Sequence, residues 1–335
     1  MILEATPDNI DYCVCLLKDD EVIGVPTETV YGLGGNALRE NSVRKIFQIK
    51  GRPLIDPLIV HCKDLEAAES ISVANDHFRS LARAFWPGPL TLVVRKDKRI
   101  PDMVTAGLDS VAIRMPRHTV FRSLLEKLDF PLAAPSANPF GYVSPTSAEH
   151  VQRTLGSKIQ AILDGGSCKI GLESTIVDLR NPEKPVILRQ GPIAASQISQ
   201  CLNCTVTVGL EGKGEDHTAQ SAPGQLTRHY SPKTTVELLE NGSTQQRDSV
   251  VSHFSQSIAL VCNQKPEWYV NQSTVYWLSE TGNLDEMARN LFDLIQKLDR
   301  QDLQTIYIEK APSEGIGLAI NDRLERAAAK SYTNL

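Results

Sequence analysis

Two short motifs gather most of the residues that could do chemistry. The first lies in VPTETVYGLGGNALRENSVRKIFQIKGRPLIDPLIVH, residues 25 to 61. It offers the hydroxyls of Thr27, Thr29 and Tyr31, the acid Glu28, the cations Lys50 and Arg52, and His61. The second is AAPSANPFGYVSPTS, residues 133 to 147, with Ser136, Asn138, Ser144 and Thr146. Three further stretches repeat the theme: SVAIRM carries Ser110 and Arg114, GLESTIVD carries Glu173, Ser174 and Thr175, and VILRQG carries Arg189. Small polar side chains around a few fixed cations suit phosphate and carboxylate, which arginine grips in a fork and lysine as a point charge.

The elements that must position these residues are short. Val22–Val25 reads as a buried strand stopped by Pro26, which cannot continue a ladder. Gly32, Gly34 and Gly35 are expected to make turns and to allow close approach to a ligand. Asn41 or Ser42 is expected to cap a helix with Val43, Ile46, Phe47 and Ile49 on its buried face, ending at Gly51. Leu58–Val60 then starts a strand that delivers His61. Strands also read at 90–95, 111–115, 131–134, 161–163, 175–179 and 186–189. Helices read at 11–18, 76–85, 119–128, 147–155 and 193–201. This alternation predicts an α/β domain with helices covering a twisted sheet. Trp86-Pro87-Gly88-Pro89 reads as a stiff turn without chemistry.

Gly32 to Ala37 also fits the dinucleotide pattern G-x-G-x-x-A, but a polar segment separates it from its strand, and Asp56 lies between prolines rather than at a strand end. There is no G-x-x-x-x-G-K-[ST] and no G-x-S-x-G; Ser136 lacks a triad partner. His61, His118 and His150 do not form a metal cluster. A magnesium ion brought by a nucleotide's phosphates is the metal this chemistry would need.

The 335 residues hold 41% hydrophobic and 22% charged residues, ordinary for a globular chain of about two domains. No signal peptide or membrane span is read, and the expected location is the cytoplasm. Seven scattered cysteines predict free thiols. Residues 1–208 hold 23 basic and 23 acidic residues, residues 209–335 hold 12 and 17, so the whole net charge of −5 sits in the second part. Residues 209–233 read as a linker whose second half, with Arg228, His229 and Tyr230, forms a lid. From Thr235 to the C-terminus, strands at 235–239, 258–262, 274–278 and 305–309 alternate with helices at 246–254, 284–298 and 317–329, a smaller α/β domain. Glu314 to Gly317 reads as a turn and helix start.

PTETVYGLG, Lys50-x-Arg52, PGPLT, Ser136-x-Asn138, GLESTIVD and ILRQG, in their chain order, resemble the threonylcarbamoyl-AMP synthase family. The likeness to its YrdC-type catalytic domain spans roughly residues 8 to 205, and HYSP with the C-terminal domain is similar to the two-domain form. The resemblance implies a twisted open mixed sheet with helices around a positive cleft (1–208), a linker (209–233) and a smaller Rossmann-like α/β domain (234–335). It implies synthesis of threonylcarbamoyl-AMP from L-threonine, bicarbonate and ATP with release of pyrophosphate, magnesium accompanying ATP. Partner proteins would then carry the group to tRNA beside the anticodon; a direct tRNA contact is left open. Carried over by position, Thr29, His61, Arg114, Ala134 and Ser174 would hold threonine. Lys50, Arg52, Asp56, Ser110, Ser136, Asn138, Ser144, Arg189 and Ser221 would hold ATP, Lys50 and Arg52 serving catalysis. The family linker runs close to SPGMKYRHYAP; here 222–232 read APGQLTRHYSP, without the aromatic before the basic residue. Two other readings are an RNA-binding module using the same cleft, and a carbamoyl-transfer maturation factor, against which the lack of acylphosphatase-like and zinc-finger segments argues.

Overall fold

A computed structural model of the chain describes residues 1–209, 220, 222–223, 230–252, 255–267 and 274–329. They fall into two compact units. The first comprises 1–140, 144–169 and 173–227, and the second 141–143, 170–172 and 228–335.

The first unit opens with β1 (Ile2–Glu4), α1 (Pro7–Lys18), β2 (Ile23–Val25), β3 (Gly32–Asn36) and α2 (Glu40–Lys50). Next come β4 (Ile59–His61), α3 (Leu65–Ser70), β5 (Ser72–Val73), α4 (Asp76–Phe85), β6 (Leu90–Lys96) and β7 (Ser110–Arg114). It continues with α5 (Thr119–Glu126), β8 (Leu132–Ala133), α6 (Ala148–Leu155), β9 (Ile162–Asp164), β10 (Thr175–Asp178), β11 (Val186–Arg189), α7 (Ala195–Leu202) and β12 (Thr207–Val208). The strands form a mixed sheet in the order β1-β9-β2-β3-β8-β4-β7-β6-β10-β11-β12, with β5 paired to β6. This bears out the expected twisted mixed sheet.

Helix boundaries follow local chemistry. Thr6 caps α1, accepting from the Asn9 N–H at 3.3 Å, and Pro7 occupies the first turn, where its missing N–H costs nothing. Asn75 caps α4, accepting from the Phe78 N–H at 2.9 Å. Gly51 ends α2 in the left-handed region at φ 64°, as its type predicts.

Two expectations are corrected here. Gly32, Gly34 and Gly35 do not turn. They lie in β3, antiparallel to β2 through Ile23↔Gly34, Gly24↔Leu33 and Val25↔Gly32, and none has a positive φ. At Gly35 smallness serves packing: a Cβ there would stand 2.6 Å from Ser42 Oγ and 3.2 Å from Ile46 Cδ1, so β3 could not lie against α2. Nor does Asn41 or Ser42 cap α2. Arg39 holds the cap position without a side-chain hydrogen bond, and Ser42 Oγ accepts from the Asn36 N–H at 2.9 Å, tying strand to helix.

Strand alternation sorts the core by face. Val22, Leu33, Val60, Leu92 and Ile113 share one large core with Ile46 and Phe47 of α2, Phe78 and Leu81 of α4, Val151 of α6 and Ile198 of α7. On the other face, α1 and α5 cover β2, β8 and β9 through Ile10, Leu17, Ile23, Phe121, Leu124 and Leu132. Further along that face, Ile59 of β4, Ala112 of β7, Val93 of β6 and Ile176 of β10 form a small apolar cluster with Ala222.

The second unit holds a parallel four-stranded sheet. Its strands are β13 (Thr235–Leu239), β14 (Ile258–Gln264), β15 (Val275–Ser279) and β16 (Thr305–Glu309), in the order β13-β16-β14-β15. Helices α8 (Thr244–Ser252), α9 (Leu284–Leu298) and α10 (Gly317–Ala328) connect or follow them. Helix α9 buries Met287, Ala288, Leu291, Ile295 and Leu298 as its spacing predicts, while Leu284 and Leu294 are half-buried.

Candidate active site

Period-two alternation turns the small apolar patch of the first unit into a floor with polar ends. His61 follows Ile59 by two positions on β4, and Ser110 and Arg114 flank Ala112 on β7. Thr91 precedes Val93 on β6, and Ser174 precedes Ile176 beside β10. All these residues therefore share the face of Ile59, Ala112, Val93 and Ile176. The strand directions finish the arrangement. β4 and β7 are parallel with His61 opposite Arg114, β6 is antiparallel to β7, β10 is parallel to β6, and β11 antiparallel to β10. His61, Arg114, Thr91, Ser174 and Arg189 thus collect at one edge of the sheet, and Ser110 lies toward the other.

Arg114 is the centre of that edge and is 3% exposed. Its Nε donates to the Gly88 carbonyl at 3.1 Å and its Nη1 to Thr29 Oγ1 at 2.9 Å. Its Nη2 stands 2.7 Å from Glu28 Oε1 in a buried ion pair. Glu28 Oε2 accepts from the Arg117 N–H at 3.2 Å. Burial alone would raise the Glu28 carboxyl; the Arg114 charge and these hydrogen bonds outweigh it and hold its pKa below the usual value. The turn at Trp86 to Pro89, read from sequence as having no chemistry, supplies the Gly88 carbonyl that orients Arg114.

His61 is buried against Phe121, ring centroids 5.5 Å apart. Burial first, and the Arg114 charge second, lower its pKa to about 3, so the imidazole is neutral at physiological pH. Ser174 Oγ shares a hydrogen bond with Thr91 Oγ1 at 2.7 Å and accepts from Arg189 Nη2 at 3.1 Å. Arg189 also donates to the Ser174 carbonyl at 3.1 Å and to the Pro223 carbonyl at 3.3 Å.

A second group forms where α2 ends. Lys50 Nζ donates to the carbonyl oxygens of Ser136 and Asn138 at 2.5 and 2.6 Å. Burial above all, and the nearby Arg52 charge, pull the Lys50 pKa well below that of an ordinary amine, while Asp56 opposes the shift. Arg52 Nη2 pairs with Asp56 Oδ1 at 2.9 Å, both side chains buried, and Arg52 donates to the carbonyls of Asp56 and Pro57. An extended ribbon connects the two groups. The Leu33 N–H donates to the Pro135 carbonyl and the Ala137 N–H to the Tyr31 carbonyl, both at 2.8 Å, and Gly32 bridges Ser136. Ala134 lies in that ribbon, its N–H donating to the Ile59 carbonyl. Ser144 Oγ donates to Glu173 Oε1 at 2.6 Å.

The structure therefore gathers Thr29, His61, Arg114, Ser174 and Arg189 in one group and Lys50, Arg52, Asp56, Ser136 and Asn138 in another. Ser221, Arg228 and His229 lie outside the described residues. Tyr230 belongs to the second unit, buried at φ 62°, stacked on Phe292 at 5.5 Å with the Arg323 guanidinium 5.5 Å over its ring. The sequence reading gave no role to Glu28, Thr91 or Glu173. Each lay in a motif all the same: Glu28 as the acid among the first motif's hydroxyls, Thr91 at the end of PGPLT, and Glu173 in GLESTIVD. Among the described residues no group of three His, Cys, Asp or Glu side chains could hold a metal, and no helix is long and apolar enough to cross a membrane.

A mixed sheet with a buried cationic edge defines the class of fold, and known proteins supply the family. Residues 15–191 match the family described as Telomere recombination, and residues 193–329 match the threonylcarbamoyl-AMP synthase C-terminal domain. Threonylcarbamoyl-AMP synthase of Pyrococcus abyssi is 39% identical over 320 residues, covering 93% of this chain and 92% of that protein. The Bacillus subtilis protein of the same name is 36% identical over 332 residues, covering 97% and 94%. The crystal structure of P. abyssi Sua5 complexed with L-threonine superposes with a TM-score of 0.89 at 35% identity, covering 98% and 97%. The chain belongs to the threonylcarbamoyl-AMP synthase family and is an enzyme.

Proposed function

We propose that this enzyme makes L-threonylcarbamoyl-AMP from L-threonine, bicarbonate and ATP, releasing pyrophosphate, for modification of tRNA next to the anticodon. The threonine nitrogen attacks the bicarbonate carbon and water leaves, giving a carbamate. A carbamate oxygen then attacks the α-phosphorus of ATP, and the bond to the pyrophosphate oxygen breaks. Arg114, with Thr29, holds the threonine carboxylate; neutral His61, the Ala134 backbone and Ser174 complete that subsite. Lys50, Arg52 and Arg189 offset the triphosphate charge and the charge developing at phosphorus. Ser110, Ser136, Asn138 and Ser144 line the nucleotide subsite. Asp56 sets Arg52. Glu28 and Asp56 are tied up in ion pairs with Arg114 and Arg52, so magnesium would be held mainly by the phosphates of ATP, where it neutralises charge.

One observation carries the reading. Ser174, on the threonine side, accepts directly from Arg189, on the ATP side, so the two subsites share a hydrogen bond. The likeness to a protein complexed with L-threonine supports the amino-acid half. The test is pyrophosphate release with magnesium, omitting threonine and bicarbonate in turn. Release that needs both is expected. Release indifferent to threonine would point to a different adenylating reaction, and no release at all to RNA binding without catalysis.

A further inference from the structure

We infer that Glu28 is a positioning residue that fixes the Arg114 guanidinium for the substrate carboxylate, and so sets the affinity for the amino acid without acting on the nucleotide. This rests on the reading of Arg114 as the threonine clamp.

A guanidinium has five N–H donors in a rigid plane and cannot lose its charge. Two acceptors hold Arg114 at different nitrogens: the Gly88 carbonyl at Nε and the Thr29 hydroxyl at Nη1. Without a third partner the group could still tilt about the line through them. Glu28, 2.7 Å from Nη2, is that partner and the counter-charge. It is not a placeholder that an incoming carboxylate would displace. Its other oxygen is anchored by the Arg117 N–H, a backbone donor independent of Arg114, and the side chain is 7% exposed, with little solvent to swing into. The substrate carboxylate therefore meets an arginine already oriented and partly neutralised, which lowers the ordering cost of binding. Glu28 binds Arg114 and the Arg117 N–H, whereas Lys50 binds the Ser136 and Asn138 carbonyls and Arg52 binds Asp56 and the Pro57 carbonyl, so its influence falls on the amino-acid side.

Steady-state pyrophosphate release on the full chain tests this, varying threonine at saturating ATP and then ATP at saturating threonine. Glu28→Gln keeps the shape and removes the charge. It is expected to raise KM for threonine by about tenfold or more, as loss of one partner of a buried charge pair does, and to leave KM for ATP within about twofold. A threonine KM unchanged or lowered would overturn the inference; a lowered value would mean that Glu28 competes with the substrate carboxylate. Should Glu28→Gln fail to fold, Glu28→Asp, which keeps the charge one methylene short, is titrated calorimetrically with threonine and with ATP in the same preparation. Weaker threonine binding with ATP binding intact supports the role, whereas unchanged threonine binding, or equal loss of both, overturns it. Arg114→Lys separates the two levels. If it leaves KM for threonine unchanged, the clamp reading fails. If it raises KM and Glu28→Gln does not, only the Glu28 role fails.

Discussion

The Lys50 ammonium donates to the Ser136 carbonyl at 2.5 Å, so the end of α2 is locked to the S-A-N segment 86 residues later. The same ammonium reaches the Asn138 carbonyl at 2.6 Å. A residue read from sequence as a point charge for phosphate is thus also the fastener between two motif segments. Lysine suits both tasks because it has three donors and these carbonyls use two.

Replacing Lys50 should therefore cost stability as well as activity. Lys50→Met leaves the Ser136 and Asn138 carbonyls without this donor, at about 1–3 kcal/mol each, and removes a cation from the proposed nucleotide subsite. Thermal melts should show the lost stability, and pyrophosphate release should fall by about a hundredfold or more. Full turnover in a stable Lys50→Met protein would contradict the assignment of Lys50 to the site.

The Arg52–Asp56 pair separates folding from function. Asp56→Asn leaves the buried Arg52 charge without its counter-charge, and urea unfolding at pH 7 should show a loss of about 3–5 kcal/mol. The double variant Arg52→Met/Asp56→Leu, which replaces the pair with apolar groups, should recover most of that loss while staying inactive. A double variant that regains turnover would remove Arg52 from the catalytic set.

His61 gives stability a definite pH dependence. Its pKa falls from 6.5 in the unfolded chain to about 3 in the folded one. Above pH 6.5 neither state carries the proton and the contribution is complete. As pH falls from 6.5 toward 3, the unfolded chain binds a proton that the folded chain does not, so stability is lost. Between pH 6.5 and 5 this amounts to about 2 kcal/mol. Denaturant unfolding at pH 7 and pH 5 should show a smaller difference for His61→Gln than for the natural sequence; equal differences would mean that His61 is protonated in the fold.

Much was legible in the sequence because it depends on local spacing. Pro26 stops β2, Gly51 ends α2 in a left-handed turn, and two-residue alternation on β4, β7 and β6 places the polar residues on one face. The order of the motifs along the chain was enough to identify the family. The tertiary structure decided what touches what. Gly32, Gly34 and Gly35 looked like turn residues because glycine permits turns, yet they lie in β3, and Gly35 is small so that α2 can lie against that strand. Gly88 looked like a plain turn residue, but its carbonyl holds Arg114. Glu28 and Arg114 lie 86 positions apart, and no local rule pairs them. Strand order and direction bring their segments together, and burial then demands that each charge find a partner. Composition and periodicity determine which residues face inward, whereas the pairing of Glu28 with Arg114 follows from sheet topology.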